Sequence, residues 1–258
     1  MLKDAVYSAT RARRRLEGRV RELGHGRATQ DLVRAVTSRN PEFQQLDGVL
    51  TRLAETCLNP PAKDTVQIIG VCSAARGEGK TTVALGLATA LARRGGSEVL
   101  LMEGDLANPT MADDLQRDSA GGLVECLTVE ESLEAATQPT PIPHLSIITA
   151  GESHQDPFSL LSRGTLRHLL RALRSRYRYI LLDMPAILER EEAGQLVELV
   201  DGVILVIAAG KVSREVTESG IAAVGRDKLM GVVLNRAQSA APRWLSRILL
   251  TDSDSPLL

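Results

Sequence analysis

The sequence predicts an α/β fold: a doubly wound, mostly parallel sheet with helices on both faces, preceded by a basic helical extension. Three observations predict it. From residue 65 onward, short runs of Val, Ile and Leu that are apolar along their whole length alternate with helix-like segments. Strands buried on both faces need no polar alternation, and intervening helices make them parallel. The first run leads into "CSAARGEGKTT" (72–82), a Gly-rich loop with a helix after it, and two later runs end in the carboxylates Glu103, Asp105 and Asp183.

Residues 1–39 form the extension, amphipathic only in patches. Leu16, Val20 and Leu23 fall at i, i+4 and i+7 before Gly24 stops the turn, and "HGRATQ" reads as a hinge. A firmer helix starts with Asn40 as N-cap and Pro41 at the first helical position. Phe43, Leu46, Val49, Leu50 and Leu53 give it one apolar face, and "NPPAKD" (59–64) ends it. The main domain is expected over residues 40–250, with 251–258 as a short tail.

Within that domain the expected strands are "TVQIIGV" (65–71), "SEVLLM", "HLSIIT" (144–149), "YRYILLD" (177–183), "DGVILVIA" and "LMGVVLN". The Ala/Leu-rich stretch 80–94 is a helix closed by Gly95-Gly96, and further helices are expected at 163–175, 190–199 and 213–224. Arg163, Arg167, Arg171 and Arg174 recur at helical spacing opposite Leu166, Leu169, Leu170 and Leu173, the pattern of a solvated face.

Composition narrows the function classes. The chain has 258 residues, 43% hydrophobic but only 2% aromatic, so Leu, Val, Ile and Ala must fill the core. No stretch approaches the roughly 20 apolar residues of a membrane-spanning helix. The N-terminus also lacks the apolar segment of a secretory signal. Cys57, Cys72 and Cys126 share no CxxC spacing and read as buried thiols in a reducing cytoplasm. The four histidines have no partner at ligand spacing. Residues 1–40 carry ten Lys/Arg against four Asp/Glu, a basic head on an acidic body. The arginines of residues 11–21 suit an anionic lipid or acidic protein surface. Nucleic acid is disfavoured, because no stacking aromatics accompany them.

The Gly-rich loop sits between strand and helix, the setting a P-loop requires. Gly77 and Gly79 let successive N–H groups point inward as a nest for phosphate oxygens, and the helix N-terminus adds to it. Arg76, Gly77, Glu78, Gly79, Lys80, Thr81 and Thr82 are thus the expected nucleotide-binding stretch, with Lys80 on the β- and γ-phosphates and the Thr81 hydroxyl on Mg²⁺. The strict pattern asks for Gly at position 74, where this chain has Ala74. Glu103, Asp105 and Asp183, at the carboxyl ends of strands, converge on the loop, where Mg²⁺ needs oxygen ligands. The cofactors expected are ATP and Mg²⁺.

With these residues the chain resembles the bacterial tyrosine kinases, cytoplasmic partners of polysaccharide co-polymerases in capsule and exopolysaccharide synthesis. "SAARGEGKTT" is similar to that family's Walker A loop, "VLLMEGDLANP" to its Walker A′ motif and "YRYILLDMPA" to its Walker B strand. "LVDGVILVIAAGKVSREV" and "KLMGVVLNRA" look like its last two core strands. The wider fold is that of the deviant Walker A ATPases, whose signature lysine is replaced here by Ala75. The resemblance implies Lys80 on the phosphates, Thr81 and Asp105 at Mg²⁺, and Asp183 at the metal directly or through water. It also implies Glu103 as the acid facing the acceptor hydroxyl, and Asn235 on adenine. It further implies a cytoplasmic protein peripheral to the inner face of the cell membrane, with a membrane polysaccharide co-polymerase as partner.

Three departures qualify that likeness. The family's ring-building Glu-x-x-Arg-x-x-Arg is "EFQQLDG" here, with Gln45 and Gly48 in place of the arginines. Ala107 and Asn108 stand where basic residues follow Walker A′, and the tail "LLTDSDSPLL" has no tyrosine. Tyr177 and Tyr179 flank the Walker B strand and read as structural, leaving Tyr7 as the one tyrosine outside the core. Two functional classes follow: a kinase or ATPase acting on another protein, and a nucleotide-gated interaction module without useful kinase turnover.

Overall fold

The computed structural model describes residues 67–236 apart from 95, 116–120, 129–132, 153–154 and 163. The extension, the helix expected from Asn40, Arg163 and the tail lie outside the described residues. Seven strands form one sheet: β1 (Gln67–Ser73), β2 (Val99–Glu103), β3 (Gln138–Pro139), β4 (Leu145–Ile148), β5 (Tyr179–Asp183), β6 (Gly202–Ala208) and β7 (Leu229–Asn235). Their order is β3-β4-β2-β5-β1-β6-β7. All pairings are parallel except the two-residue β3–β4 pair. The six expected strands are therefore all present, within two residues at their ends.

The helices are α1 (Lys80–Arg93), α2 (Met111–Leu115), α3 (Leu123–Thr128), α4 (Leu133–Ala136), α5 (Pro157–Ser162), α6 (Thr165–Leu173), α7 (Glu191–Leu199) and α8 (Arg214–Val224). Those expected at 80–94, 163–175, 190–199 and 213–224 correspond to α1, α6, α7 and α8. The sequence reading missed α2–α5 and β3. Each is six residues or shorter, too brief to show the periodicity on which a helix is recognised.

The two sheet faces are covered differently. On one, α1 packs Val83, Leu87 and Leu91 against Ile69, Val71, Leu101 and Leu181. On the other, Leu123, Leu166, Leu170, Leu196, Val197 and Ile221 from α3, α6, α7 and α8 pack against Ile68, Leu100, Ile180 and Leu205. Burying each such aliphatic side chain contributes roughly 1.5–3 kcal/mol. Arg167 and Arg171 on α6 are exposed while Leu166, Leu170 and Leu173 are buried, as a solvated arginine face requires. Arg174 reaches Asp201 at 2.9 Å.

The parallel register sets the site. Asp183 at the end of β5 stands level with Val71 on β1 and with Glu103 on β2. The loop that continues from β1 therefore rises beside both acidic strand ends.

Candidate functional site

The loop between β1 and α1 owes its shape to two glycines in the left-handed region, Gly77 at φ 74° and Gly79 at φ 95°. The positive φ disfavours a side chain at both positions, and a Cβ at either would also require a neighbouring side chain to move. A Cβ on Gly77 would lie 2.3 Å from Lys211 Nζ, and one on Gly79 2.2 Å from Asn235 Nδ2. Gly79 caps α1 without any side-chain hydrogen bond. Among the described residues, no protein acceptor takes the N–H groups of Gly77, Glu78 or Gly79. Three unclaimed donors at a helix N-terminus form an anion cradle.

Side chains from around the sheet hold this loop open. Glu78 is fully buried, and its carboxylate accepts from Ala75 N at 2.8 Å and Ala208 N at 2.9 Å. Its side chain thus faces the protein, and only its backbone is left for a ligand. Asn235 Nδ2 donates to the Glu78 carbonyl at 2.7 Å, while its Oδ1 accepts from Arg236 N at 3.0 Å. The Arg76 N–H donates to Glu189 Oε1 at 2.8 Å, and the Arg76 carbonyl accepts from Lys211 Nζ at 2.6 Å. Cys72 lies beneath, its thiol pushed up to about 12 by burial, against the lowering pull of Lys80, and so unreactive.

The charged residues gather where the sequence places them. Lys80 Nζ is 3.1 Å from Asp105 Oδ2, with both side chains nearly buried. The Thr81 hydroxyl lies close enough to the Asp183 carboxylate to lower its pKa. Burial raises the Asp183 pKa from its ordinary 3.8 to about 7, against the lowering effects of Lys80 and Thr81. Asp105 Oδ1 and Asp183 Oδ1 are buried without a hydrogen-bond partner. A fold seldom leaves two such oxygens bare, and a cation between them satisfies both.

Among the described residues no group of three His, Cys, Asp or Glu side chains forms a self-contained metal cage. Mg²⁺ needs none, because it is held by one or two carboxylates with substrate phosphates and water. Two orphan carboxylate oxygens, the adjacent Thr81 hydroxyl and a cradle of free N–H groups fit a magnesium nucleotide.

Glu103 behaves differently from the other acids. Its Oε1 accepts from Thr110 N at 2.6 Å and Met111 N at 2.8 Å, and its Oε2 accepts from Ala150 N at 3.0 Å. The side chain anchors the start of α2 and the end of β4. The expected role of Glu103 toward an acceptor hydroxyl thus falls on a carboxylate whose two oxygens both accept from backbone amides. Its pKa is raised by burial, opposed by those three amide bonds.

Residues 66–223 match the AAA domain family. The tyrosine-protein kinase YwqD of Bacillus subtilis is 33% identical over 167 residues, 64% of this chain and 70% of YwqD. The chain belongs to the bacterial tyrosine-protein kinase family. The crystal structure of the VpsO kinase domain superposes with a TM-score of 0.67 at 29% identity, covering 76% of this chain and 98% of that one. The succinoglycan biosynthesis transport protein ExoP of Rhizobium meliloti is 28% identical over 66% of this chain, which spans 22% of ExoP.

Kinase-family membership places this site in the class of ATP-dependent phosphotransferases and ATPases. No helix among the described residues is long and apolar enough to cross a membrane. The sequence reading missed Glu189 and Lys211, which lie in loops rather than motifs. One signal was present: Lys211 lies in the loop after β6, the strand beside β1, at the carboxyl edge where an α/β sheet keeps its ligands.

Proposed function

We propose that this chain binds ATP with Mg²⁺ and transfers a phosphoryl group to tyrosine on another protein, in service of exopolysaccharide or capsule synthesis and export. The observation that carries the reading is the meeting of three unclaimed loop N–H groups with Lys80, Asp105 and Asp183. In this reading Arg76 to Thr82 surround the phosphates, Thr81, Asp105 and Asp183 hold the metal, and Asn235 reaches toward the base. Bound Mg²⁺ supplies charge neutralisation of the phosphates. Lys80 must turn from Asp105 toward the phosphates, exchanging one anionic partner for another.

Action on another protein is supported by where the tyrosines lie. Tyr177 and Tyr179 are half-buried and packed against the two cores. Tyr179 opens β5 and Asp183 closes it, so four strand steps of about 3.3 Å separate them. The relatives' names support a polysaccharide role, with a membrane co-polymerase as partner and the basic residues 11–21 on an anionic inner membrane face. Glu103 favours a second reading: with its carboxylate on backbone amides, the chain is a nucleotide-gated interaction module that signals occupancy without useful kinase turnover.

Calorimetry with Mg-ATP tests the shared premise. Lys80→Ala removes charge-assisted contacts of roughly 1.5–3 kcal/mol, lowering affinity at least about tenfold. A wild type without Mg²⁺-dependent ATP binding would end both readings. Labelled ATP with and without a membrane partner then separates them: Lys80-dependent phosphotyrosine on the partner marks the kinase. Phosphotyrosine abundant at Tyr177 or Tyr179 would contradict action in trans.

A further inference from the structure

One peptide of the phosphate loop is gripped from both sides by loops remote in sequence. Glu189, between β5 and α7, takes the Arg76 N–H, and Lys211, between β6 and α8, gives a hydrogen bond to the Arg76 carbonyl. Both gripping side chains are exposed, so neither is placed there by core packing. The Lys211 ammonium also lies beside Gly77, 2.3 Å from where a Cβ would stand. The β5–α7 segment runs alongside the same stretch. Ile187 N donates to Ser73 O at 2.8 Å and Leu188 N to Ala74 O at 3.3 Å.

A loop that aims three N–H groups at an absent anion is electrostatically unfavourable by itself, because parallel dipoles repel. Something must hold it in that shape beforehand, or binding has to do so at a cost in affinity. Hydrogen bonds from a carboxylate and an ammonium to a peptide are stronger than neutral ones. Here one of each fixes the peptide immediately before Gly77. Lys211 also sets a positive charge beside the cradle, a further preference for an anion.

We propose that Glu189 and Lys211 are a positioning pair for the nucleotide. By fixing both polar groups of the Arg76 peptide they preform the Gly77–Gly79 cradle, and Lys211 biases it toward the phosphate chain. The inference rests on the nucleotide reading of the loop, but one of its two tests needs no nucleotide.

In nucleotide-free protein, NMR amide exchange at Arg76 reads the Glu189 bond directly. Glu189→Ala is expected to speed that exchange about tenfold or more, the loss of one charge-assisted bond. Calorimetry then compares Mg-ATP binding in wild type, Glu189→Ala, Lys211→Met and Lys211→Arg. Both Glu189→Ala and Lys211→Met are expected to bind about five- to twentyfold more weakly at an unchanged thermal midpoint, because both side chains are exposed. Lys211→Arg, which keeps charge and donor, is expected to restore affinity to within about twofold. Unchanged affinity in both weakened variants overturns the proposal, and so does Lys211→Arg as weak as Lys211→Met. A wild type that binds no nucleotide would sink the nucleotide reading alone. The pair would then stand or fall on whether Arg76 exchange responds to Glu189→Ala.

Discussion

Two strand ends stand side by side in this sheet and do opposite things with a buried acid. Glu103 and Asp183 are in direct register, each about 1% exposed, and each follows an apolar strand. Glu103 is met by three backbone N–H groups, whereas Asp183 keeps Oδ1 unpartnered beside Thr81 and near Lys80. Burial therefore does not separate a structural acid from a functional one. What separates them is whether the protein itself completes the hydrogen bonding. Satisfied, the acid is a brace; unsatisfied, it awaits a ligand.

The largest effect should come from removing the brace. Glu103→Ala leaves three amide donors without their acceptor, at about 1–3 kcal/mol for each buried group. Part is recovered by relaxation and by losing a buried charge, so a net destabilisation of about 3–5 kcal/mol is expected in urea unfolding. A loss below about 1 kcal/mol would mean that water reaches those amides, and the comparison of the two acids would fail.

The unsatisfied acid should show the reverse sign. With its pKa raised from 3.8 to about 7, folded Asp183 holds a proton that the unfolded chain releases between those values. Wild-type stability should fall as pH rises through that window and level off above it. At about 1.4 kcal/mol per pH unit, the change amounts to at most about 4 kcal/mol. Asp183→Asn should flatten the slope and leave the nucleotide-free protein about 2–4 kcal/mol more stable at pH 8, while removing the Mg²⁺ dependence of ATP binding. Wild-type stability that rises with pH across this range, in urea titrations at pH 4–8, would show that Asp183 is stabilised as an anion and needs no cation.

Much of this was legible beforehand, for physical reasons that differ by residue. The strands announced themselves because a sheet covered on both faces needs uninterrupted Val, Ile and Leu, as in "VILVIA". Lys80, Thr81, Asp105 and Asp183 were legible because strand order and register bring the ends of β1, β2 and β5 together. The bracing of Glu103 was not legible because sequence reports the acid and not the amides that meet it, which come from Thr110, Met111 and Ala150. Ala74 shows how a departure from a motif is absorbed elsewhere. It packs against Gly220 on α8, where an added Cβ would lie 2.8 Å from the Ala74 Cβ. Gly220→Ala should accordingly cost about 1–3 kcal/mol by overpacking, read as a lowered urea midpoint. No local signal joins residues so far apart in the chain.

The smallest effect is the most discriminating. Glu103→Asp keeps the charge and withdraws the carboxylate by one methylene, a change of about 1.3 Å in reach. If the acid is a brace, at least one of its three amide bonds lengthens or breaks, costing about 1–2 kcal/mol of stability. Phosphoryl transfer should then stay level or fall slightly, because α2 and the end of β4 lose part of their anchor. If the acid is instead a base held too close to the backbone to work well, the shorter side chain should free it toward the cleft. Transfer would rise with little change in stability, because the site would have gained a group able to accept the acceptor hydroxyl's proton. Turnover and urea midpoint measured on one preparation give the two outcomes opposite signs, and a rise in turnover at unchanged stability would return Glu103 to the reaction path.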